Sequence, residues 1–252
     1  MELSRIVSVL GIGLVAALLF SRPHMTLPSL SQSQDVSVAD LTQSAQGKTR
    51  AVGIDVSHYQ GTIQWPKVVA DKIQFAYLKA TDGITYTDPR YHANVTELKQ
   101  SELLHGAYHF YEPNDDAVAQ AKHFLTKVTL TDVSLAPVLD VEIHEQVLAT
   151  DIAHGVRTWL EYVEQATNCR PVIYTYSDFY QTYLGETFDH YPLWLADYAK
   201  QPTLFRAQPA LAIWQHSQKG RVMGIATEVD LDIAEVPLEQ LQCRATLLAT
   251  EA

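Results

Sequence analysis

Ala136-Pro137-Val138-Leu139-Asp140-Val141-Glu142 is an apolar run that opens on a proline and ends on two acids one residue apart. A run this short and this apolar reads as a buried strand. Side chains on a strand alternate faces, so Asp140 and Glu142 project to the same side, roughly 7 Å apart along the backbone at a rise of about 3.3 Å per residue. Two carboxylates facing one cavity at a strand's C-terminal end suit the acid/base cleavage of a glycosidic bond. The plainer alternative is a strand that runs out into a solvated acidic loop, and the flanking chain has to decide.

Upstream, residues 51–57 (AVGIDVS), 73–81 (IQFAYLKAT) and 104–111 (LHGAYHFY) read as three more strands. Helical stretches separate them. Residues 65–72 open on Trp65-Pro66, residues 89–102 have Pro89 in their first turn, and residues 115–128 repeat Val118, Ala121, Phe124, Leu125 and Val128 at helical spacing. Downstream, residues 152–166 place Val156, Trp159, Leu160 and Val163 on one helical face, residues 171–176 form a fifth strand, and 178–184 a short helix. The alternation then stops. Residues 193–198 (LWLADY), 212–217 (AIWQHS) and 228–233 (EVDLDI) are three strands with no helical stretch between them. Five β/α units followed by three strands with little helix predict an irregular TIM-like α/β barrel. Such a barrel carries its site at the C-terminal ends of its strands. Asp55 lies near the end of the first strand and Asp140 and Glu142 end the fourth, while Asp230 sits in the eighth, beside the first once the ring closes.

The chain has 252 residues, 47% of them hydrophobic and 19% charged, enough to bury one barrel-sized core. Its formal charge is −11 and no basic cluster is present, which argues against a nucleic-acid partner and against electrostatic adhesion to anionic surfaces. The acidity belongs to the folded part, because the first fifty residues hold only Glu2, Asp35 and Asp40 against Arg5, Arg22, Lys48 and Arg50. Those fifty residues divide in two. Residues 1–22 contain a short apolar run from Ile6 to Phe20, shorter than the ~20 residues a membrane span needs, and suit a signal peptide or an N-terminal membrane anchor. Residues 23–50, rich in Ser, Gln and Thr, suit a flexible linker. Export to the periplasm or the extracellular space follows, with tethering to the inner membrane if the segment is retained. Residues 51–240 are the barrel and 241–252 a C-terminal tail. Cys169 and Cys243 form either one disulfide, given an oxidising compartment, or two separate buried thiols.

Several stretches together resemble the glycoside hydrolase family 25 lysozymes, the Chalaropsis-type muramidases. They are Gly53–Gly61 (GIDVSHYQG), Phe75–Gly83 (FAYLKATDG), Asp88-Pro89, Gly106–Tyr111 (GAYHFY), Leu139–Glu142 (LDVE), Ile173–Thr175 (IYT), Leu193–Ala196 (LWLA), Trp214-Gln215 and Val229-Asp230. Each is weak alone, but nine in the right order are specific. The resemblance implies five β/α units and three closing strands, and hydrolysis of the β-1,4 bond between N-acetylmuramic acid and N-acetylglucosamine in the glycan strands of peptidoglycan. It also implies Glu142 as general acid, with Asp140, Asp55 and Asp230 as the other acids of the site. Asp82 departs from the Glu that usually follows Lys-Ala-Thr.

The reaction needs a proton on the leaving oxygen and negative charge beside an oxocarbenium-like centre. A neighbouring carboxylate and an apolar barrel beneath would both hold Glu142 protonated. Asp232 alternates with Asp230, so the two compete for one role; the Val-Asp match favours Asp230. Sugar rings present apolar faces to aromatic side chains. Of Tyr108, Tyr111, Tyr174, Trp194, Tyr198 and Trp214, the choice falls on Tyr111, Tyr174 and Trp194 as substrate-binding residues. No metal or organic cofactor is expected. There is no HExxH motif or phosphate-cradling glycine loop, and His105 and His109, four apart on a strand, stand about 13 Å from each other. The rival readings are a glycan-binding module without catalysis and a chitinase-like hydrolase, since an Asp-x-Glu strand end serves that reaction too.

Overall fold

The computed structural model describes residues 50–130, 134–199 and 211–243. The segment 1–22, the linker 23–50 apart from Arg50, and residues 244–252 of the tail lie outside the described residues. Nine strands form: β1 (Val52–Val56), β2 (Phe75–Asp82), β3 (Tyr86–Thr87), β4 (Leu104–Phe110), β5 (Val138–Asp140), β6 (Val172–Tyr176), β7 (Leu193–Ala196), β8 (Leu211–Gly220) and β9 (Val229–Ala234). Eight of them close a ring in the order β1-β2-β4-β5-β6-β7-β8-β9, with β9 pairing back to β1. Two-residue β3 pairs with the end of β2 across a turn in which Gly83 takes a positive φ of 50°. It is too short to leave a pattern in the sequence.

The ring is parallel from β1 round to β8, whereas β9 is antiparallel to both of its neighbours. The cause is the connection. Only residues 221–228 lie between β8 and β9, and a parallel crossover needs a dozen or more. Asp230 therefore does not lie toward the C-terminal end of an upward strand. It sits at the start of a descending one, and register pairs it with Asp55 at the same rim.

Helices α1 (Trp65–Ala70), α2 (Tyr91–Leu98), α3 (Ala117–Lys127) and α4 (Ala149–Thr167) cover the outside, and α5 (Ser177–Phe179) continues as wider turns to Leu184. Local chemistry sets their ends. Asp116 caps α3 by accepting the Ala119 N–H at 2.7 Å, and α4 stops where Asn168 turns left-handed. Strand alternation sorts the core into two layers. Ile54, Leu78, Leu139 and Ile173 face outward onto Phe124, Val156, Trp159 and Leu160 of the helices, while Phe75, Tyr77, Val138, Val172, Trp194 and Ile213 fill the barrel. Two glycines make the interior fit. A Cβ at Gly53 or Gly106 would lie 2.3 Å from the Phe75 or Tyr77 ring respectively. The floor of the barrel is closed by the C-terminal residues: Leu241 is buried, its carbonyl accepts the Ala136 N–H at 2.7 Å, and Gln242 bridges Leu135. Cys169 and Cys243 are joined by a disulfide beside this floor.

Candidate active site

The parity that fills the barrel also loads its rim. Asp55, Lys79, Tyr108, Asp140, Tyr174, Trp194 and Asp230 stand at inward positions of successive strands, and with Glu142, just past β5, they line one cavity of about 230 Å³. All four acids singled out in the sequence meet there. A second depression, lined by Tyr176, Asp178, Asp197 and Tyr198, opens on the other side of Glu142, which borders both.

The carboxyls of Asp140 and Glu142 interact directly, which favours a proton held between them. Burial raises both above the ordinary carboxylate range; Glu142 raises Asp140 further, while the Asp140 hydrogen bond and the Lys79 ammonium act against the rise at Glu142. At Glu142 burial is the largest cause of the rise. Asp140 is fully enclosed, and its Oδ1 has no hydrogen-bond partner from the protein. Asp230 is pushed up to about 6, by burial first and then by Glu142. Asp55 is raised well above its ordinary value by burial and by Asp230 and Asp232.

Residues that carried no role in the sequence reading complete the site. Gln215, buried on β8, donates from Nε2 to Asp55 Oδ2 at 2.8 Å. Asp232, fully buried one alternation below Asp230, accepts the Trp194 Nε1 hydrogen at 3.0 Å. It is buried beneath the cavity that Asp230 lines. Lys79 donates to Asp82 Oδ2 at 2.7 Å and lies 4.6 Å from the Phe110 ring centroid, so the Asp that departs from the family pattern holds the one basic side chain of the cavity lining.

Of the three aromatic choices, Tyr174 and Trp194 line the cavity, with ring centroids 4.9 Å apart, edge to face. Tyr111 is not brought there. It follows β4 at an outward position and is buried between barrel and helices, its hydroxyl filling the space that a side chain at Gly155 of α4 would need. Tyr108, three residues earlier and so on the opposite face, takes the place instead. Trp214 also points outward, donating Nε1–H to the Asp197 carbonyl at 2.6 Å. Among the described residues no three His, Cys, Asp or Glu side chains are arranged to hold a metal ion.

A closed α/β barrel whose rim gathers carboxyls, two of them in direct interaction, beside aromatic faces defines a glycoside-hydrolase class of site. The sequence matches the glycosyl hydrolases family 25 profile over residues 54–225, and the chain belongs to that family. It is 36% identical over 200 residues to the uncharacterized protein YegX of Escherichia coli K12, covering 75% of this chain and 71% of that one. It is 35% identical over 195 residues to lysozyme M1 of Streptomyces globisporus, covering 71% and 65%. Among solved structures, the lysozyme of Streptomyces coelicolor superposes with a TM-score of 0.71 at 31% identity, covering 77% of this chain and 96% of that one. The family 25 lysozyme of Aspergillus fumigatus gives 0.68 at 27%, covering 77% and 97%. The protein is a glycoside hydrolase, and its irregular barrel is the one its sequence predicted.

Proposed function

We propose that the chain is a peptidoglycan hydrolase, an N-acetylmuramidase that cleaves the β-1,4 bond between N-acetylmuramic acid and N-acetylglucosamine. The observation that carries this is the directly interacting Asp140–Glu142 pair at a cavity walled by Asp55, Asp230, Tyr174 and Trp194. Glu142 is the proton donor, since it alone of the five acids borders both depressions and so stands where a bond joining two rings would lie. Asp140 interacts directly with that donor. A protein nucleophile would stand about 5–5.5 Å from it, across the sugar. The closer contact favours a route in which the substrate's own acetamido oxygen attacks the anomeric carbon, with the Asp140 carboxyl orienting that group. When Asp140 turns to that group, the proton held between the two carboxyls passes to Glu142 and on to the leaving oxygen. Asp55 and Asp230 supply negative charge beside the oxocarbenium-like centre.

The relatives named lysozyme and N,O-diacetylmuramidase support the substrate class. Action on a cell wall requires export, and the N-terminal apolar segment would serve as its signal or anchor. The decisive comparison is clearing of a cell-wall suspension by the parent protein and by Glu142→Gln. Loss of a general acid slows turnover by about 10²–10⁴-fold. A parent that clears no wall would remove the reading, and a Gln variant as fast as the parent would remove Glu142 from its role. Mass spectrometry of the products separates this from chitinase-like cleavage, because a muramidase leaves muramic acid at the new reducing end.

A further inference from the structure

Gln215 is buried at 2% exposure and makes three hydrogen bonds. Its Oε1 accepts from two hydroxyls, Tyr174 at 3.0 Å and Tyr198 at 2.9 Å, and its Nε2 donates to Asp55 Oδ2 at 2.8 Å. A carboxamide has two unlike ends and can sit either way round. Here the two phenols, both able to donate, occupy the oxygen end and leave the N–H₂ end for the carboxylate. The tyrosines come from different places: Tyr174 from β6, lining the cavity that holds Asp55, and Tyr198 from beyond β7, lining the depression on the far side of Glu142. Gln215 thus ties both walls to one acid.

We infer that Gln215 is a positioning residue for the proposed hydrolysis: its amide, oriented by the hydroxyls of Tyr174 and Tyr198, holds the Asp55 carboxylate aimed into the cavity as a hydrogen-bond acceptor. The need arises from what surrounds Asp55. Asp230 and Asp232 face it from β9, Asp140 from β5 and Tyr108 from β4, and none of them brings positive charge. These neighbours favour the protonated form, and Asp55 is raised well above its ordinary value even with the Gln215 bond in place, so the amide limits that rise. A fixed N–H from Gln215 works in the opposite direction, because donation to a carboxylate favours its ionised form. This inference rests on the reading of the cavity as a glycosidase site, but the orientation of Asp55 has a readout of its own.

The test uses the full chain with ¹³C-labelled aspartate, following the Asp55 carboxyl (assigned through Asp55→Asn) by NMR titration in the parent, in Gln215→Leu and in Tyr174→Phe/Tyr198→Phe. Loss of the donor leaves burial and the three carboxyls of Asp230, Asp232 and Asp140 unopposed. Asp55 then ionises at higher pH in Gln215→Leu, and the acid limb of the wall-clearing profile moves up with it. A hydrogen bond to a charged group corresponds to about 10- to 100-fold in rate, expected in kcat rather than KM. In the double Phe variant the donor is still present but its orientation is released, so the titration moves the same way and by less. An Asp55 titration unchanged in Gln215→Leu overturns the inference, as does activity that falls only in step with the melting temperature. A double Phe variant with the parent's titration overturns the part given to the tyrosines. If the parent clears no wall, the hydrolase reading fails, while the NMR comparison still decides whether Gln215 governs Asp55.

Discussion

Four carboxyls line one cavity with a fifth, Asp232, buried beneath it, and their proton affinities set how the molecule responds to pH. Asp230 is raised to about 6, so between the ordinary carboxylate range and that value the native state holds a proton the unfolded chain has lost. Stability from this group falls as pH rises through that window. His109 acts oppositely. It is enclosed between barrel and α3, bonded to Thr81 Oγ1 at 2.7 Å and to Gln120 Oε1 at 3.0 Å, and burial lowers it to about 4. The native state resists its protonation, so its contribution is lost as pH falls from about 6.5 toward 4. The two slopes offset each other in the parent, and a single variant separates them. Asp230→Asn should melt at a progressively higher temperature than the parent as pH is raised from about 4 to about 7, followed by circular dichroism; a gap that stays constant with pH would contradict the assignment. The acids themselves could be read from the sequence because each ends or begins a strand at a readable parity. The same parity separates Tyr108 from Tyr111, which lie three apart on β4 and its exit: the first faces the cavity and the second the helices. Gln215 belongs to the Trp214-Gln215 motif but carries no role in the sequence alone, since an amide's importance lies in its partners, here from β1, β6 and the segment after β7.

The elements of the barrel follow from short-range rules, with two exceptions that matter for the site. β9 descends because its connection is short. The sequence leaves only residues 218–227 between its last two predicted strands, and Asp230 reaches the rim on a strand that runs downward. The other exception is interior volume. Gly53 and Gly106 occur in strands where glycine costs order, and nothing in a one-dimensional pattern says that Phe75 and Tyr77 lie across them. Gly106→Ala should therefore displace the Tyr77 ring, whose centroid is 5.0 Å from that of Trp194 in the cavity wall. Overpacking of this kind costs about 1–3 kcal/mol. Urea unfolding should show that loss together with a change in tryptophan fluorescence of the native state. Unchanged stability and fluorescence would mean the interior accommodates the methyl without moving Tyr77.

The disulfide is placed where it can tie the last strand's exit to the α4–β6 corner. Cys169 and Cys243 are 74 residues apart, and closing loops of this size restricts the unfolded chain by up to ~4 kcal/mol, with about 2–4 usual in practice. Cys243→Ser should lower unfolding free energy by about that much, and reductant should lower the parent's to match without affecting the variant; equal stability of parent and variant would show the bridge to be dispensable. The descending last strand has one more consequence. β1 starts at the floor and β9 returns to it, so Val52 and Cys243 both leave the barrel on the side away from the carboxyls. An attachment made at Val52 or at Cys243 itself would therefore lie away from the mouth of the barrel.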